Sequence, residues 1–117
     1  MNAVILLTAI DVGTKPAAEA HAIIVSAQPA VNSTVARGTI PIRLLFNSRI
    51  DVAHSRLSLQ RPDGKVENVG LASGAADDSL AGLANVQAEG RWTLHWLVLS
   101  LDGHITRGEV SFFVRGA

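Results

Sequence analysis

From residue 21 onward, apolar and polar side chains alternate with a period of two and β-branched residues dominate, a pattern that predicts strands and not helices. A first strand is read at His21 to Ser26, closed by Gln28-Pro29 and followed by the polar stretch Asn32-Ser33-Thr34. Ile40, Ile42, Leu44 and Phe46 alternate with Pro41, Arg43, Leu45 and Asn47, which marks a second strand with one strongly apolar face. Pro41 fits a strand start or an edge, because proline has no N–H to give a ladder. Leu57 to Leu59 leads into Arg61-Pro62-Asp63-Gly64, a turn sequence, and Lys65 to Leu71 forms the returning arm of a hairpin.

Leu71 to Asp78 is rich in Ala, Gly, Ser and Asp and reads as a loop, with a short strand expected at Ser79 to Leu83. Glu89-Gly90 then turns the chain into a strand from Arg91 to Ser100. Trp92, Leu94, Trp96 and Val98 share one of its faces, and Thr93, His95, Leu97 and Leu99 the other. Apolar residues on both faces place this strand in the middle of a sheet. The last strand, Gly108 to Val114, sets Val110, Phe112 and Val114 opposite Ser111, Phe113 and Arg115. Val52 to Leu59 is too short and broken for a helix. The expected fold is an all-β, antiparallel Greek-key sandwich of immunoglobulin-like type with about seven strands. Trp96, Phe46 and Phe112 are its expected core anchors.

At 117 residues the chain amounts to one domain. Ten Lys and Arg balance ten Asp and Glu, so no basic surplus points to nucleic acid or an anionic membrane. The absence of cysteine removes disulfides, thiolate metal sites and cysteine nucleophiles together. The longest apolar run, Ala3 to Leu7, is far shorter than the roughly 20 residues that span a bilayer, so no membrane span is expected. That run resembles the core of a signal peptide, and Ala18-Glu19-Ala20 offers a small-x-small cleavage pattern just before His21. No Lys or Arg precedes the run, and Asp11 to Ala20 is long for a pre-cleavage region. The expectation is nonetheless a leader over residues 1–20, export, and a folded domain over residues 21–117.

Candidate chemistry gathers where the long strand ends, at Ser100-Leu101-Asp102-Gly103-His104. Glycine between an aspartate and a histidine lets both side chains aim at one point, an arrangement for a metal ligand or an acid/base pair. Asp-Gly is also a common turn pair, so a second donor segment is needed. His21 supplies one: as a mature first residue it would add a free α-amine to its own imidazole, and the two nitrogens chelate one ion. With His104 the set holds three nitrogens, and Asp102 adds an oxygen. Such a set favours tetragonal Cu(II), with zinc as the competitor. His54 and His95 read as structural or surface residues. Ser100, Asp102 and His104 lie too close along one turn to form a nucleophilic triad unaided.

These residues resemble a known family, the CopC/PcoC-type periplasmic copper-binding proteins. The resemblance runs through His21-Ala22, Ser26, Pro29-Ala30, Leu45-Phe46, Gly90, Trp92-Thr93-Leu94-His95-Trp96, Val98, Ser100, Asp102-Gly103-His104, Gly108 and Phe112-Phe113-Val114. It implies a Greek-key sandwich in the periplasm that holds one Cu(II) through His21 with its amine, Asp102 and His104. It also implies a role in copper resistance, homeostasis or transfer, and no enzymatic activity. The implied partners are the copper ion and an inner-membrane copper importer or other copper-handling protein, with the chain itself monomeric. Some relatives carry a methionine-rich loop for Cu(I), whereas this chain has only Met1. His54 falls where relatives often have an apolar aromatic and is read as its replacement in the packing, while Ile105 follows His104 where the family frequently has proline. Two other readings stay open: a copper redox enzyme built on a histidine brace, and a metal-free immunoglobulin-like interaction module.

Overall fold

A computed structural model describes residues 22–73 and 76–116, which form eight strands and, among the described residues, no helix. In chain order these are β1 (Ile24–Gln28), β2 (Thr34–Ala36), β3 (Gly38–Phe46), β4 (Ile50–Gln60), β5 (Val66–Asn68), β6 (Ser79–Val86), β7 (Gly90–Ser100) and β8 (Ile105–Arg115). They make two sheets, one of order β1-β3-β6 and one of order β2-β8-β7-β4-β5. This is the expected all-β sandwich. Its pairs are antiparallel except β2 with β8, which run parallel with Thr34 opposite Phe113 and Ala36 opposite Arg115.

The core is the space between the two sheets, and the period of two decides what fills it. Ile42, Leu44 and Phe46 from β3 face Leu57, Leu59, Trp92, Leu94, Trp96, Val98 and Phe112 from the larger sheet, all buried. Each such side chain contributes about 1.5–3 kcal/mol by leaving water. The three expected anchors meet this role, and Phe46 packs edge-on against Trp96 across the sandwich, with ring centroids 5.2 Å apart. Trp92 is an equal anchor, its Nε1–H donating to the Ala88 carbonyl at 2.9 Å. The Trp96 indole lies directly on Gly108, its partner across the ladder, where a Cβ would come within 2.5 Å of Cζ2. A glycine there makes room for the ring.

Several boundaries differ from the sequence reading. The first described strand runs from Ile24 to Gln28, and β6 extends to Val86. Thr34, read as part of a polar loop, opens β2, whose three residues are held by the edge of β8 and not by an apolar pattern of their own. Pro41 sits inside β3, on the half of the strand that β1 does not cover, since β1 pairs only with Arg43 to Phe46. The hairpin at Arg61 to Gly64 forms as read, with Arg61 N–H donating to Lys65 O at 2.8 Å.

The largest irregularity is in β4. Asp51 is opposite Leu99 and Arg56 is opposite Leu97, so four residues bulge out where one would continue the ladder. The Ser55 hydroxyl fills the break by donating to Asp51 O at 2.7 Å and accepting Leu99 N–H at 3.2 Å. This bulge carries His54 into solvent, its side chain 71% exposed. The expectation that His54 replaces a packed aromatic is therefore corrected: the bulge points it away from the core.

Candidate metal centre

The hairpin joining β7 to β8 is a three-residue loop closed by two backbone bonds, Gly103 N–H to Ser100 O at 2.9 Å and Ser100 N–H to His104 O at 2.8 Å. A turn of this kind needs its last loop residue at positive φ, and Gly103 has φ +91°. The glycine therefore serves the closure of the hairpin first. Its consequence for the neighbours is that Asp102 folds over the turn, where Oδ1 accepts His104 N–H at 3.1 Å and Oδ2 lies 3.0 Å from His104 Nδ1. The structure thus brings Asp102 and His104 together at the tip of the sandwich, with the imidazole mostly exposed.

The same spacing fits an ion. Two donors at right angles, each about 2.0–2.1 Å from one divalent metal, stand about 2.9 Å apart. A carboxylate oxygen and an imidazole nitrogen at 3.0 Å can share a proton or flank a borderline divalent ion, and the two compete. Two donors alone make a weak site, and no group of three His, Cys, Asp or Glu side chains forms among the described residues.

His21, the expected further ligand, lies outside the described residues; its neighbour Ala22 does not. Ala22 is buried, and its N–H donates to the buried Ser100 Oγ at 3.1 Å. Its carbonyl accepts from Thr106 Oγ1 at 3.1 Å. One residue on, Ile23 N–H donates to Asn47 Oδ1 at 2.8 Å, and Asn47 N–H returns a bond to Ile23 O at 2.8 Å. Four hydrogen bonds therefore fasten residues 22 and 23 to the end of β7, the start of β8 and the loop after β3. Ser100 stands in the sequence motif, but nothing in the sequence signals this use of its hydroxyl, and nothing there singles out Thr106 or Asn47.

The other two histidines stand apart from this turn. His95, on the outer face of β7, shares a hydrogen bond of 2.9 Å between Nε2 and Gln60 Oε1, a structural role consistent with its reading. His54 Nδ1 lies 2.9 Å from Asp51 Oδ2 on the β4 bulge. That hydrogen bond holds the Asp51 carboxyl below the ordinary carboxylate range, against a smaller opposing effect of desolvation.

Comparison with known proteins decides the family, because the model of the CopC domain matches residues 24–115. The chain belongs to the CopC family. Among CopC-like structures, CopC from Methylosinus trichosporium OB3b superposes with a TM-score of 0.73 at 28% identity, over 82% of this chain and 95% of that one. PcoC, a methionine-rich copper resistance protein from Escherichia coli, gives 0.65 at 25% identity, over 82% and 100%. In sequence the chain is also 29% identical over 105 residues to the protein YobA of Escherichia coli K12, covering 86% of this chain and 83% of that protein. The turn Asp102-Gly103-His104 and the clamp on Ala22 both fall in or beside the matched CopC region.

Proposed function

We propose that this CopC-family protein binds one Cu(II) ion at the Asp102-Gly103-His104 end of the sandwich and works in copper resistance, homeostasis or transfer. The full ligand set is His104, Asp102, the His21 imidazole and the α-amine that His21 acquires when residues 1–20 are removed on export to the periplasm. The observation that carries the reading is the clamp on Ala22. Residue 21 is one Cα step, about 3.8 Å, from a residue that Ser100 and Thr106 hold beside the turn. Three nitrogens and a carboxylate suit the tetragonal preference of Cu(II), and no thioether beyond Met1 is available to favour Cu(I). PcoC, a copper resistance protein by its name, supports the same metal for this chain.

The reading is one of binding and not of catalysis. A carboxylate in the donor set fills a coordination position that oxygen activation needs open, which argues against the histidine-brace enzyme. The test is a competition titration of protein beginning at His21. One Cu(II) per chain is expected, weakened about 100-fold by His104→Ala, which corresponds to a lost ligand contribution of roughly 3 kcal/mol. A few extra residues before His21 should weaken it too, because the amine is then tied up in a peptide bond. Equal affinity in all three proteins would sink the assignment.

A further inference from the structure

The outer face of the larger sheet presents a second feature that ends at the same tip. On β7, Leu97 and Leu99 face away from the core, and Leu99 stands opposite Ile105 of β8. Ile105 and Leu101 are 58% and 62% exposed. The four make an apolar strip that runs along the sheet into the Asp102-Gly103-His104 turn. Arg56 of β4 and Arg107 of β8 both stand opposite Leu97, one on each side. With neighbouring strands about 4.8 Å apart, their backbones are about 10 Å apart across the strip.

The next row holds Ser58, His95 and Glu109, and together with the arginines and Leu97 it lines a shallow groove of about 540 Å³. Among the described residues Arg37, Arg49 and Arg61 each meet a carboxylate, while Arg56 and Arg107, like Arg43, Arg91 and Arg115, form no ion pair; what sets these two apart is that they flank one apolar residue, Leu97. Glu109 stays beyond ion-pair distance of both.

Resting on the proposed copper function, we infer that this face docks the protein that exchanges copper with the chain, through an extended segment of that partner bearing carboxylates and apolar side chains. The carboxylates answer Arg56 and Arg107, for which planar, two-pronged recognition is the natural match. The apolar side chains cover Leu97, Leu99 and Ile105. A second copy of this chain is a poorer occupant, since its matching face offers two arginines for each glutamate. The strip ends at the metal turn, so a segment seated on it brings its own ligands to the ion, and Leu101 and Ile105 shield that contact from water.

The probe is a short fluorescent peptide alternating Glu with Leu, set against a peptide of the same length alternating Lys with Leu. Binding is followed by anisotropy on the copper-free full chain at low salt, and its location by amide NMR shifts. The Glu peptide should bind and the Lys peptide should not, with shifts on β4, β7 and β8. The double variant Arg56→Glu, Arg107→Glu should weaken binding at least about tenfold, as reversal of paired interface charges does, while its circular dichroism and copper titration stay unchanged. Equal binding of the two peptides, an unaffected double variant, or shifts on the smaller sheet would overturn the inference. So would finding the face already covered by a second copy, seen by sedimentation, or by residues 1–20, seen in the peptide-free NMR spectrum. Because docking is read without copper, a chain that docks the peptide but, when it begins at His21, fails the copper titration refutes the proposed function alone.

Discussion

Replacing Ser100 with alanine deletes one oxygen and leaves the strand intact, yet it strikes the bond that fixes the start of the described chain. Ala22 is 1% exposed and Ser100 3%, so water cannot replace the lost acceptor without opening the packing. A buried N–H left unsatisfied costs about 1–3 kcal/mol. That cost can appear in two places. If residues 22 and 23 stay seated, global stability falls, and a domain of this size loses about 4–8 °C of melting temperature per kcal/mol. If they detach locally, the melting temperature barely moves. The cost then appears as weaker Cu(II) binding, at about tenfold per 1.4 kcal/mol.

Thermal melts of copper-free protein followed by tryptophan fluorescence, paired with copper competition titrations, measure both parts. Their sum should reach the 1–3 kcal/mol expected of one buried donor. Thr106→Val, which removes the donor to the Ala22 carbonyl with little change of shape, should behave alike but more weakly, because a carbonyl tolerates underuse better than an N–H does. If Ser100→Ala leaves both melting temperature and copper affinity unchanged, the hydroxyl is not what holds residue 22, and the proposal that His21 is a ligand loses its support.

Gly108→Ala should destabilise the fold by about 1–3 kcal/mol in urea titrations, because the new methyl meets the Trp96 ring and the rigid ladder cannot withdraw; a neutral result would mean the indole is mobile. Gly103→Ala should cost about 1–2 kcal/mol through its positive φ, and Gly103→Asn less, with copper affinity following the same order. Asp51 gives a pH signature. Its folded carboxyl is held low by the His54 hydrogen bond, so the stability it contributes is present above the ordinary carboxylate value of about 3.9 and is lost as pH falls through the lower folded value. Urea stabilities of wild type and Asp51→Asn should therefore differ near neutrality and converge in strong acid. A constant difference would show that the bulge depends on shape alone.

Much of the fold was legible because the residues that build it repeat a simple signal. Ile42, Leu44 and Phe46 announce a buried face by alternation, and Pro62-Asp63-Gly64 announces its turn by backbone chemistry. β2 was not legible, since Thr34 to Ala36 become a strand only through the edge that β8 offers, a contact far away in sequence. The β4 bulge is equally hidden: a period of two cannot report where it is interrupted, which is why the sequence alone suggests a packing role for His54. At the site, Asp102 and His104 could be paired from their spacing around a glycine. The clamp could not, because Ser100 and Thr106 act on Ala22 across most of the chain and their hydroxyls look like ordinary strand residues.

That separation has a kinetic meaning. The bonds from Ala22 to Ser100 and Thr106 join residues 78 and 84 apart in sequence, contacts whose loop closure is costly and of the long-range kind that slows folding. On the proposed ligand set, an ion would need two segments that the sequence keeps far apart and that only folding brings together. If the copper proposal holds, unfolded chains would bind the ion poorly, and folded ones would gain stability with the logarithm of the free copper they meet.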